Sequence, residues 1–121
     1  MLEITEEQIT AFKAKSVSRF EAKMKVYLTK TFPDWSLEKT PNQLHSFIIC
    51  GIDIAKGYNL FSEKSVCKFI GITVILGQDF DSKPEYLWAK EILENPEKLD
   101  EAIVIDKLCS AVVQDLNQKE T

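Results

Sequence analysis

The residues of this chain most able to do chemistry are one histidine, His45, and three cysteines, Cys50, Cys67 and Cys109. A nucleophilic thiol needs a base within hydrogen-bond reach. Cys50 follows His45 by five positions, about 140° around a helix, so the two side chains do not face each other. Asp79 and Asp81 form a D-x-D pair, and with Glu85 they hint at a calcium loop. Lys83 then occupies the third ligand position and no glycine follows it, so the pattern fails and capping of the next helix is the expected role. A zinc site needs four clustered ligands, and three scattered Cys with one His do not offer that. Gly51, Gly57, Gly71 and Gly77 are spread along helices and helix ends instead of forming a phosphate-cradling loop. Asp53 and Asp106 lie within apolar stretches, either as buried carboxylates or as stripe edges. These residues predict no catalytic site, metal or cofactor, and the expectation is that the chain is not an enzyme.

Composition narrows the remaining classes. With 121 residues the chain has the length of one domain, and 45% hydrophobic with 28% charged residues is a globular balance. The net charge is -4 and the isoelectric point about 5.0, which does not favour nucleic acid, since that ligand needs a basic face. Charge is uneven: residues 1–77 carry ten Lys or Arg against eight Asp or Glu, whereas residues 78–121 carry five against eleven. The cysteines are odd in number and sit among apolar neighbours, so free thiols in small core positions are expected. That fits a reducing compartment. The acidic start, Met1-Leu2-Glu3-Ile4-Thr5-Glu6-Glu7, lacks the apolar segment of a signal peptide. No apolar run reaches the ~18–20 residues of a membrane span, so a cytoplasmic protein is expected.

Five helices are legible from their ends, over residues 5–31, 41–56, 63–76, 84–94 and 96–117, and together predict an all-α, single-domain bundle over 1–121 with a long N-terminal helix. Thr5 and Gln8 have capping-box spacing, and Ile4 and Ile9 that of a hydrophobic staple. Ile9, Phe12, Val17, Phe20, Met24, Tyr27 and Leu28 then follow one helical stripe until Pro33 stops it. Thr40-Pro41-Asn42-Gln43 is a second capping box with proline at the first helical position. Its helix carries Leu44, Phe47, Ile48, Ile52 and Ala55, and Gly57 is the expected left-handed terminator. Ser62 caps the third helix, whose broad apolar face (Val66, Phe69, Ile70, Thr73, Val74, Leu76) marks it as central. Gly51 and Gly71 lie inside helices, at ~1 kcal/mol each relative to Ala, so a close approach of one to the other is expected. The fourth helix follows Pro84 with a stripe of Leu87, Trp88, Ile92 and Leu93. The fifth follows Pro96 with Leu99, Ala102, Ile103, Asp106, Cys109, Val112, Val113 and Leu116.

The aromatic residues are the remaining source of function. Trp35 and Leu37 lie in a polar linker outside every stripe, where a tryptophan is usually tucked against a core edge and otherwise anchors a partner. Tyr58, Phe61, Phe80, Tyr86 and Trp88 cluster around the junctions of the second, third and fourth helices and are expected to form a satellite core. Trp35 is the first candidate anchor for a protein partner, followed by Tyr58 and Phe61 at a helix junction.

Several of these motifs also resemble a known family. They are Ile4 to Gln8, Arg19-Phe20, Gly51-Ile52, Ala55, Gly57-Tyr58-Asn59, Ser62-Glu63, Val66-Cys67, Phe69, Leu76-Gly77, Asp79-Phe80-Asp81, Pro84, Trp88-Ala89 and Ile92-Leu93. In this pattern the chain resembles small helical accessory proteins encoded beside bacterial type VI secretion spike, PAAR-repeat and effector genes. The resemblance covers most of residues 4–93. It implies a non-enzymatic chaperone, adaptor or co-chaperone that helps load an effector onto the secretion spike. An immunity protein that blocks a cognate toxin is the alternative within that setting, and a regulatory helical module the alternative outside it. The resemblance carries no binding residue over, because its motif is made of caps and core positions. If Trp35 is the anchor, Trp35→Ala should weaken partner binding by more than ~1 kcal/mol while leaving thermal stability little changed; a melting curve beside a titration separates the two.

Overall fold

The computed structural model describes the backbone of residues 6–120 and the side chains of residues 17–119. The expected cap at Thr5 and Gln8, the staple at Ile4 and Ile9, and Phe12 lie outside the described side chains. The fold is all-α, with no strand among the described residues. Its helices are α1 (Glu6–Thr31), α2 (Pro33–Leu37), α3 (Pro41–Gly57), α4 (Glu63–Leu76), α5 (Leu87–Glu94) and α6 (Glu101–Glu120). The chain divides into two compact units, Met1–Ile49 and Cys50–Thr121, with the division inside α3.

In the first unit, Phe20, Met24 and Leu28 are buried at successive i, i+4 positions of α1. Of the expected stripe, these three positions are buried, whereas Tyr27 is exposed and Ile9 lies outside the described side chains. At its end Phe32 leaves the helical region, φ -129 and ψ 64, as the residue before a proline must. The linker that follows is not irregular, however. Pro33 restarts the chain as the short helix α2, with Pro at the first turn. The Thr40–Gln43 capping box closes in both directions: the Gln43 amide donates to Thr40 Oγ1 at 3.1 Å and the Thr40 amide donates to Gln43 Oε1 at 2.9 Å. His45 on α3 pairs with Glu21 on α1.

In the second unit α3 ends in a Schellman turn. The Leu60 amide donates to the Ala55 carbonyl and the Asn59 amide to the Lys56 carbonyl, both at 2.9 Å. The left-handed residue is Asn59, φ 62, not Gly57, which remains helical. Asn tolerates that region through its short polar side chain, and the apolar residue after it, Leu60, is buried. Ser62 caps α4 by accepting from the Ser65 amide at 3.1 Å. Gly77 ends α4 at φ 108, a conformation other residues rarely adopt.

Helix α4 carries the heaviest burial, with Val66, Phe69, Ile70, Ile72, Thr73 and Leu76 all inside. The Thr73 hydroxyl is satisfied by donating to the Phe69 carbonyl at 3.0 Å. Gly51 approaches α4 closely, but its neighbour is the Ile70 side chain and not Gly71. A Cβ on Gly51 would lie 2.7 Å from Ile70 Cγ1.

Beyond Gly77 the chain makes two 3-10 turns, Phe80–Ser82 and Pro84–Tyr86, before α5 begins at Leu87. The expected helix from 84 starts three residues later, because the Tyr86 amide closes a 3-10 turn on the Lys83 carbonyl at 3.0 Å. Phe80 and Tyr86 are buried there, whereas Leu87 is 57% exposed. Both α4 and α5 pack on α6. Helix α6 begins at Glu101 instead of 96, because Asn95 and Lys98 both take left-handed conformations, φ 50 and 55. Asn95 holds that turn from both sides: Leu99 donates to its Oδ1 at 2.7 Å, and its Nδ2 donates to the Leu99 carbonyl at 2.8 Å. Asp100 then accepts from the Ala102 amide at 3.1 Å.

The buried stripe of α6 is Val104, Ile105, Leu108 and Val112, while Ile103, Val113 and Leu116 are exposed. The expected stripe is therefore turned toward solvent by part of a helical turn. The three cysteines are also not core residues. All three thiols are free and only half-buried. Asp53 and Asp106 are exposed.

The Gly51–Ile70 contact has a measurable consequence. Ala at position 51 gains helix propensity of ~1 kcal/mol but forces a buried isoleucine to move. Gly51→Ala should therefore lose about 1–2 kcal/mol net, as overpacking does. Combined with Ile70→Ala, the loss in urea unfolding should fall below the sum of the single losses. A stability gain from Gly51→Ala alone would show that Ile70 yields freely.

Candidate functional site

The three aromatic residues singled out by sequence have different fates. Trp35 is half-buried on α2, with its ring 4.7 Å from that of Phe47 at 60°, an edge-on pairing. Lys39 Nζ lies 5.3 Å from the Trp35 ring centre. Trp35 therefore has a packing role inside the first unit, the core-edge reading of a tryptophan in a short linker. Edge-on aromatic pairs contribute ~0.5–1.5 kcal/mol beyond area burial, so part of any effect of Trp35→Ala is structural.

Tyr58 belongs to the second unit. Its hydroxyl donates to Asp81 Oδ2 at 2.6 Å, tying the end of α3 to the first 3-10 turn. Its ring is 6.4 Å from Phe69, and Phe69 is 5.7 Å from Phe80. Burial, reinforced by the hydrogen bond to Asp81, pushes the Tyr58 phenol well above its ordinary value. This is a latch between a helix end and a turn. The Asp79–Asp81 pair accordingly has a structural use for Asp81.

Phe61 alone of the three is open to solvent, at 63% exposure. Its backbone, by contrast, is held. The Ser62 amide donates to Glu101 Oε1 at 2.8 Å and the Phe61 amide to Glu101 Oε2 at 3.3 Å. Glu101, in the first turn of α6, thus caps the start of α4 from another element. The Ser62 backbone bond is the main reason its carboxyl lies below the ordinary range for glutamate. Sequence spacing gives no signal for this pairing, since 39 positions separate the partners.

The satellite aromatic core is real for Phe80 and Tyr86 but excludes Phe61. Trp88 stands edge-on to Tyr86, 6.0 Å away, and stays half-buried. Lys119 Nζ lies 5.0 Å from the Tyr86 ring centre.

Trp88 also lines a hollow at the seam of α5 and α6. Two adjoining hollows, about 490 and 300 Å³, run along the seam of α5 and α6 and share Ile92 and Lys107. Trp88, Ile92, Leu99 and Ile103 supply apolar surface, and the Asn95–Pro96–Glu97 turn closes one end. The turn in α6 that removes Ile103 from the core is what delivers it here. Sequence reasoning placed all four residues in core stripes. The only hint of a surface role was an excess of apolar positions on α6 over what one buried face can hold.

Chemically the seam can hold an apolar ligand, and nothing along it forms a nucleophile–base pair. Among the described residues no group of three or more His, Cys, Asp or Glu is placed to hold a metal ion. Burial pushes the Cys67 and Cys109 thiols up, partly offset by the Lys68 ammonium. That direction lowers thiolate content at neutral pH. No described helix is long and apolar enough to cross a membrane. Comparison of the chain with protein-family models, curated proteins and solved structures gives no match.

The Glu101 cap is pH-dependent in a defined direction. A lowered folded-state value means its stabilisation is present above the ordinary glutamate value of ~4.3 and lost as pH falls through the lower folded value. Glu101→Gln should lose about 1 kcal/mol at neutral pH, the low end for a charged hydrogen bond because water screens the site. The gap from wild type should close on acidification. Urea unfolding at a series of pH values from 3 to 7 reads this, and a gap that stays constant would separate the loss from carboxylate ionisation.

Proposed function

We propose that this chain is a non-enzymatic, cytoplasmic protein-binding accessory: a chaperone, adaptor or co-chaperone for a type VI secretion effector or its PAAR or spike protein. The observation that carries the protein-binding part is the open apolar seam between α5 and α6, with Trp88, Ile92 and Ile103 accessible along it. Half-exposed aromatic and aliphatic side chains in a concave, polar-edged surface are the usual anchors of protein recognition. The secretion setting rests on the resemblance carried by the motifs between Ile4 and Leu93.

An immunity protein remains the second reading because the last third of the chain is acidic. In a charge-blocking form, the acidic stretch of Glu97, Asp100 and Glu101 would cover a basic surface of the toxin. Asp100 accepts from the Ala102 amide and Glu101 from Phe61 and Ser62. Only Glu97 of the three is without such a structural bond among the described residues, which weakens that form. Reversing Glu101 would also disturb the start of α4.

Capture of the tagged full chain from its native host, followed by mass spectrometry, tests the proposal. Recovery of a PAAR or spike protein with an effector is the expected result. Recovery of one small toxin alone, through a complex dissociated by salt, would move the assignment to immunity.

A further inference from the structure

The α5–α6 seam has a charge pattern as well as an apolar floor. Residues 85–107 carry seven Asp or Glu against three Lys. At the seam itself Glu91, Glu97 and Asp106 face one Lys107. Asp106 is bonded to Lys68 at 3.1 Å, but no ion pair or hydrogen bond engages Glu91 or Glu97 among the described residues. Two unneutralised carboxylates thus flank a strip of Trp88, Ile92, Leu99 and Ile103.

The larger hollow follows α6 from Ile103 to Gln114. That is about 16 Å at the helical rise, or three turns of a docked helix. A helix lying in an apolar groove anchors itself through residues at i, i+3 or i+4 and i+7. Two hollows that meet at Ile92 suit two such anchors one turn apart. Acidic edges favour cationic residues beside those anchors and disfavour anionic ones.

From this the geometry points to a specific occupant: a short amphipathic helix of a partner protein, about three turns long, with two apolar anchors flanked by Lys or Arg. The assignment deepens the adaptor reading and rests on it, because it names what the seam would recognise in the cargo or spike. Lys107, shared by both hollows, sits at their junction and selects for an uncharged or acidic residue between the two anchors.

The probes are two synthetic 14-residue helices with the same leucine face, one with lysines and the other with glutamates on its flanks. Binding to the full chain is followed through Trp88 emission in a Trp35→Phe background. Three variants are compared: Ile103→Asp on the strip, the Glu91→Lys/Glu97→Lys pair on its edges, and Val113→Asp, which does not line the seam. All alter exposed positions, and thermal melts check that folding is unchanged.

The lysine helix should bind at least tenfold more tightly than the glutamate helix. Both seam variants should weaken it at least tenfold, while Val113→Asp leaves it within twofold. Equal binding of the two helices, or binding unaffected by the seam variants, would overturn the assignment. Sedimentation showing self-association that Ile103→Asp abolishes would also overturn it, because a second copy would then be the occupant. The host capture is repeated with Ile103→Asp. A PAAR or spike protein retained by this variant refutes the seam and leaves the adaptor role intact. No such protein captured by wild type refutes the adaptor role itself.

Discussion

The Glu101 carboxylate on the α4 N-terminus is the contact around which the second unit is arranged. It joins the first turn of α6 to the first turn of α4, so two helix starts share one anion. The amides at a helix start have no intrahelical acceptor, and a carboxylate there is favoured by both hydrogen bonding and the helix dipole. Once Glu101 is pinned, the rotation of α6 is fixed. Val104, Ile105, Leu108 and Val112 fall on the same side as Glu101 and are buried, and Ile103 falls outside. The core of the unit and the seam on its surface are two results of one rotation.

This explains where sequence reading succeeds and where it stops. Helix ends decided by neighbours three residues apart are legible: Thr40 with Gln43, Ser62 with Ser65, and the stop before Pro33. Features decided across distance are not. Helix α6 carries two adjacent apolar stripes, and periodicity alone cannot say which faces inward. The choice is made with other helices, through the packing of α4 and α5 on α6 and the Glu101 bonds to the start of α4. Asn59 took the terminator role expected of Gly57 because the Schellman bonds, and not residue type, place the left-handed position. Pro96 suggested a helix start, but the reciprocal Asn95–Leu99 bonds hold five residues out of helix before Asp100.

The candidate site was less legible than the fold for a related reason. Of the aromatic residues named as candidate anchors, Trp35 is matched to Phe47 and Tyr58 to Asp81, so both follow their alternative reading as packing residues. The residues that do line a groove looked like core because they lie in periodic stripes. A stripe reports that a position is apolar on one face, without reporting whether a neighbouring element covers it. Only Phe61 was both singled out and found open.

The reciprocal hydrogen bonding between Asn95 and Leu99 also bears on how fast the seam would act in the proposed role. It clamps the turn joining α5 to α6, so the two walls cannot separate without giving up both bonds. On the proposed reading the aperture would be set before a guest arrives, and its width would not be adjusted to each newcomer. Recognition by a rigid aperture needs no rearrangement step, and encounter is limited by orientation alone. Competing guests would then enter at similar rates and be sorted by how long each stays.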